Sequence, residues 1–92
     1  MLRWTRQALS DLESARQYSE AHFPQAHTRW GERVKRTLQA LADHPHIGRP
    51  GRLEETRECP VTQTPFVVVY RINRANVEII AFLHGARQWP SN

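Results

Sequence analysis

The chain has little of what usually ties a small protein together covalently. Cys59 is the only cysteine, so no disulfide can close within one chain, and no Cys and His grouping has the spacing of a structural zinc site. That usage suits a reducing compartment, and a cytoplasmic location is the expectation. Long apolar runs are missing too: none approaches the roughly 20 residues that span a bilayer. The opening MLRWTRQALSDLES lacks the apolar core of a secretory signal, so no membrane association is expected. There is no phosphate-cradling glycine loop, no nucleophile elbow and no carboxylate pair, which excludes the commonest nucleotide-binding and hydrolase sites. His44 and His46 flank Pro45 without a third ligand or a carboxylate, so neither a metal nor another cofactor is expected. Lysine is almost absent, Lys35 being its one occurrence.

What is present is arginine. The 92 residues carry a formal charge of +4 and a pI near 10.2, almost all of the positive charge on guanidinium groups. Planar guanidinium forks suit phosphates and carboxylates, which points to nucleic acid or an acidic protein partner. The basic residues are spread evenly along the chain, however, and form no single tract. A chain of this length makes one domain, residues 1–92, without repeat or linker, and it buries only about 60% of its unfolded surface.

Periodicity divides that domain into a helical half and a strand half. Thr5 is a suitable N-cap, with Trp4 placed to staple against Leu9, and Ala8, Leu12 and Ala15 then follow one helical face until about His22. Pro24 suits the first turn of a second helix carrying Ala26, Trp30, Val34, Leu38 and Leu41, which Pro45 ends. The segment HPHIGRPGR (44–52) is turn chemistry. Residues 53–61 form a weak strand with Pro60 at an edge or bend, and FVVVYRI (66–72) and VEIIAFLH (77–84) are strong strands joined by the turn NRAN. With a short strand at Leu2 to Trp4, the expectation is an α+β fold: an N-terminal two-helix hairpin on a mainly antiparallel, three- to four-stranded sheet.

Pairing Ile72 with Val77 predicts a register in which Arg71 faces Glu78, Val69 faces Ile80 and Val67 faces Phe82. One face then carries Phe66, Val68, Tyr70, Ile72, Val77, Ile79, Ala81 and Leu83 and covers the helices. The other mixes Val67, Val69, Ile80 and Phe82 with Arg71, Glu78 and His84, as a groove for a partner or substrate would. His84, leaving on that open face, has the chemistry of a general base or of a plain strand end. Arg87 suits either an anion or a carboxylate such as Glu58. Arg57 and Glu58, adjacent on a strand, point to opposite faces, so only one can enter the groove. Arg29, Arg33 and Arg36 share one face of the second helix, which reads as a solvated face more readily than as a phosphate track.

The order of these elements, with W-T-x-x-A-x-x-D-L (4–12), H-P-x-x-G-R (44–49), TRECP (56–60), PFVVVYR (65–71), VEIIAFLHGAR (77–87) and the closing WP, resembles the RelE/ParE superfamily of type II toxin–antitoxin toxins. The resemblance spans nearly the whole chain. It implies a toxin neutralised by a cognate acidic antitoxin. RelE-like members cut mRNA in the ribosomal A site with an arginine from the central strand and basic or tyrosine residues around it. By the strand pattern, Val67 stands where those members have that arginine, and residues 53–65 contain no lysine. ParE-like members act by binding DNA gyrase. The resemblance therefore favours a ParE-like gyrase inhibitor, with antitoxin contacts at Val67, Val69, Ile80, Phe82, Arg57 and Arg87 and target contacts at His84, Arg87 and Trp89. One alternative is a ribosome-dependent mRNA endonuclease with Arg57, Glu58, His84 and Arg87 in its site. The other is an inactive relative that only binds an antitoxin. On this reading the HGARQWP ending serves toxicity, whereas the plainer alternative is a lid in which Trp89 covers the sheet edge.

Overall fold

In the computed structural model, which describes residues 1–90, the chain runs β1 (Leu2–Trp4), α1 (Arg6–His22), α2 (Pro24–Asp43), β2 (Arg49–Pro50), β3 (Arg57–Pro60), β4 (Phe66–Asn73) and β5 (Asn76–His84). Each helix boundary has a local cause. Thr5 is extended and its hydroxyl accepts the Ala8 N–H at 3.1 Å, capping α1. Phe23 precedes Pro24 and His44 precedes Pro45, and proline disfavours helical backbone in the residue before it. Both residues accordingly leave the helical region, at φ/ψ of −137°/57° and −137°/76°. Pro24 then opens α2, where its missing N–H costs nothing. Leu9, expected to staple to Trp4, is instead 52% exposed, while Trp4 packs on the main core.

The sheet has the order β1-β5-β4-β3-β2, with β1 parallel to β5 and every other pair antiparallel. It thus has five strands, more than the expected three or four, because Arg49–Pro50 of the turn segment pairs with Glu58 and Arg57. The hairpin turn is also tighter than NRAN suggests. Asn73 pairs with Asn76, leaving a two-residue turn with Arg74 at φ 59°.

The predicted pairs Ile72–Val77 and Arg71–Glu78 are present, the latter as an ion pair of 2.7 Å. Beyond them the register shifts: Tyr70 pairs with Ile79 but Val69 pairs with Ala81, so Ile80 is an extra residue, a β-bulge. This bulge exchanges faces for the rest of β5. Phe82 and His84 go to the helix side, and Ala81 and Leu83 go to the other. Phe82, expected in the open groove, is 1% exposed and lies 5.7 Å from the Phe66 ring and 6.1 Å from Trp30. The energetic reason is size. A buried phenylalanine removes far more apolar surface from water than alanine, at about 25 cal/mol per Å2, and ring pairs add about 0.5–1.5 kcal/mol each.

Two apolar clusters result. The larger lies between sheet and helices and contains Trp30, Val34, Leu41, Phe66, Val68, Tyr70, Ile79 and Phe82, with Leu38 packed at its edge. The smaller, on the opposite face, is Val69, Ala81 and Leu83 with Ile80 and Trp89 against them.

Candidate functional site

The end of β5 is placed by its neighbours on the helix side. His84 pairs with Phe66, and its ring stands edge-on to Phe66 and to Tyr18 of α1, each with a centroid separation of 6.0 Å. The chain then turns. Gly85 N–H donates to the Pro65 carbonyl (2.7 Å), and Arg87 N–H donates to the His84 carbonyl (2.9 Å). The glycine has no left-handed φ, but a Cβ at this position would lie 3.3 Å from Val67, a tight approach that Val67 would have to relieve by a few tenths of an ångström. Ala86 N–H donates to His84 Nδ1 at 3.2 Å. A backbone N–H only donates, so Nδ1 is the acceptor and the proton of the neutral ring sits on Nε2.

Between this ending and α1 lies a cleft of about 520 Å3, walled by Asp11, Ser14 and Tyr18 on one side and by His84, Ala86 and Arg87 on the other, with Phe66 and Phe82 as its floor. Asp11 has a structural task at its rim. β1 pairs with β5 only as far as Ile79, which among the described residues leaves the outer edge of β5 without a partner strand beyond that point. The Asp11 carboxylate accepts the Phe82 N–H there (3.2 Å) and the Gln7 side-chain amide (2.8 Å).

On the opposite face the expected groove is filled by the chain itself. Val67 and Val69 are buried, Val69 at 0% exposure, and Trp89 packs over the strip formed by Val69, Ala81 and Leu83. Glu58 lies on this face opposite Val69 and is 2% exposed. Its carboxylate meets Arg52 Nε at 3.2 Å and Arg49 at 3.7 Å, so it pairs with these two rather than with Arg87. Arg57 pairs with Tyr70 and faces the helix side, donating to the Gly48 (2.8 Å) and His46 (3.3 Å) carbonyls.

The sequence-derived candidates are therefore separated into three places. Arg57 buttresses the 44–49 turn, Glu58 sits beneath the opposite face, and only His84 and Arg87 share a cleft. Val67 and Val69 are buried, Ile80 is half-buried at the bulge, and Phe82 borders the helix-side cleft. His84 does not leave on the open face as expected, because the bulge turned it over. Arg52 and Asp11 carry structural tasks that sequence reasoning did not single out.

Comparison with known proteins bears on what such a domain is. A sequence model described as the ParE toxin of type II toxin–antitoxin system, parDE, matches residues 2–89. The chain belongs to the ParE toxin family. The toxin is 40% identical over 89 residues to the putative toxin Y4kP of Sinorhizobium fredii, an alignment covering 97% of this chain and 92% of the relative. It is 34% identical over 84 residues to toxin RelE2 of Caulobacter vibrioides, covering 91% and 93%. Among solved structures it is similar to one described as the chromosomal ParDE TA system from P. aeruginosa (TM-score 0.75, 20% identity, 90% of this chain and 92% of the other). It is also similar to YafQ from E. coli strain BL21(DE3) (TM-score 0.68, 11% identity, 94% and 93%). Both share its α+β fold. As a type II toxin it has an antitoxin partner. None of its described helices is long and apolar enough to cross a membrane.

Proposed function

We propose that the toxin acts by binding DNA gyrase, without catalysis of its own, and that its antitoxin is an acidic segment docking at the C-terminal end of β5. The observation that carries the gyrase reading is the apolar strip at Val67 and Val69, both buried where a ribosome-dependent nuclease would need polar groups facing its RNA. Ribose activation requires a base with a free lone pair within reach of the hydroxyl. In this arrangement the acceptor nitrogen of His84 is already occupied by the Ala86 N–H, and Arg57 and Glu58 are engaged elsewhere.

What the ending does offer is a binding surface. Arg87 is exposed and Trp89 is half-buried beside it, a cation and an aromatic of the kind enriched at interface hot spots. The antitoxin reading rests on the same region. The cleft beside Tyr18 accepts apolar side chains, Ile80 is accessible at the bulge, and Arg87 at the rim suits a carboxylate.

Purified toxin tested in parallel on gyrase and on translating ribosomes decides between the targets. The expected result is blocked supercoiling or stabilised cleaved DNA, with translation unaffected. Intact supercoiling together with mRNA cut inside stalled ribosomes would establish the nuclease instead. Arg87→Ala is expected to abolish growth inhibition while the protein stays folded.

A further inference from the structure

One side chain from a distant loop reaches the backbone of the C-terminal segment. Arg52 lies in the loop 51–56 between β2 and β3. Its own N–H donates to Glu58 Oε2 (2.9 Å) and its Nε lies 3.2 Å from the same oxygen. Its two terminal nitrogens then reach across the sheet, one donating to the Arg87 carbonyl (2.7 Å) and the other to the Gly85 carbonyl (3.0 Å). The loop is shaped for this task. Gly51 N–H donates to the Thr56 carbonyl (2.8 Å), and the Thr56 N–H and hydroxyl both donate to the Leu53 carbonyl (3.2 and 2.6 Å). Glu55 takes a left-handed conformation, and any side chain at Gly51 would collide with Thr56. A guanidinium can hold a carboxylate and two carbonyls at once because its donors are fixed in a planar fork; an ammonium group cannot span all three.

The segment's other backbone bonds lie at its base, next to the strand: Gly85 to Pro65, and Ala86 and Arg87 to His84. Further out, Trp89 packs on the strip of Val69, Ala81 and Leu83. We infer that Arg52 is a positioning residue for toxicity, fixing the Gly85 to Trp89 segment so that Arg87 and Trp89 meet the target in one arrangement. It acts through the segment's carbonyls. Binding by a preorganised surface avoids the ordering cost that a free tail would pay on association. The inference rests on the reading of the HGARQWP ending as the target-binding surface, and it does not depend on which target is bound.

The test uses the full chain, its R52A and R52K variants, and R49A, which removes the more distant partner of Glu58 without touching the tail. Trypsin must take hold of the Arg87 carbonyl to cut the bond that follows it, and Arg52 occupies that carbonyl in the folded protein. Brief digestion read by mass spectrometry is expected to show that bond cut about tenfold faster or more in R52A and R52K, from the loss of charged hydrogen bonds, with R49A like wild type. Growth inhibition is expected to fall in step in the two Arg52 variants while their far-UV circular dichroism stays that of the wild type. Should R52A fold poorly, R52K, which keeps the positive charge beside Glu58, carries the comparison. Wild-type protection at Arg87 in R52K, full toxicity in R52K, or the same losses in R49A would each overturn the inference. A wild-type protein that leaves gyrase untouched would overturn the gyrase reading alone, because the digestion comparison needs no target.

Discussion

At the scale of single residues, the Tyr70 hydroxyl joins the two halves of the molecule. It donates to the Pro45 carbonyl (2.7 Å) and accepts the Gly48 N–H (2.9 Å), pinning the 44–49 turn to the middle of the sheet. Gly48 has to be glycine because a Cβ there would run into the phenol ring. Tyr70→Phe leaves a buried N–H and carbonyl without their partner, a loss of about 1–3 kcal/mol. Urea titration should show a lower midpoint at unchanged slope. Burial pushes both the Tyr70 phenol and the Cys59 thiol above their ordinary pKa values. Each therefore holds its proton more tightly folded than unfolded. That contribution is complete below the unfolded pKa values and is lost as pH rises, so stability should decline from about pH 9 upward. Tyr70→Phe should flatten part of that decline. The H-P-x-x-G-R spacing was legible as a turn, but the tyrosine that holds it stands 22 residues from Gly48 and carries no local sign of the bond.

At the scale of elements, the bulge at Ile80 decides which residues form the site. Helix ends, the hairpin and the start of its register could be read from the chain because caps, prolines and alternation act locally. The slip could not, since both strands are apolar on both faces and alternation is the usual guide to register. What selects the slip is the space between Trp30 and Phe66, which Phe82 fills. Phe82→Ala should therefore cost about 3–5 kcal/mol, seen as a large fall in melting temperature. Deleting Ile80 should be much milder, because it removes the extra residue while leaving Ile79 and Phe82 on the core face. A deletion variant that fails to fold while Phe82→Ala melts normally would reverse this account of the strand.

At the scale of the whole molecule, the charge of +4 is dispersed and partly consumed internally. Arg16 is paired with Glu13 and Glu20, Arg71 with Glu78, and Arg49 and Arg52 with Glu58. The long-range field remains positive and should speed encounter with an acidic antitoxin. Stopped-flow measurements should show the association rate falling about tenfold or more between roughly 50 and 500 mM salt, with the dissociation rate changing far less. A flat dependence would mean that the contacts at the cleft are essentially apolar.

The sequence alone determined the α+β architecture, the boundaries of both helices, the helix-facing core around Trp30, Val34, Val68 and Ile79, and the Arg71–Glu78 pair. These rest on capping, proline geometry and periodicity, which act over a few residues. Only the tertiary structure decided that the second sheet face is closed by Trp89 instead of open, that His84 and Phe82 belong to the α1 side, and that Arg52 clasps the tail. Each of these is a competition for buried volume or for a buried carboxylate among residues distant along the chain. Such competitions are settled by how the whole fold packs, not by any stretch of sequence read in isolation.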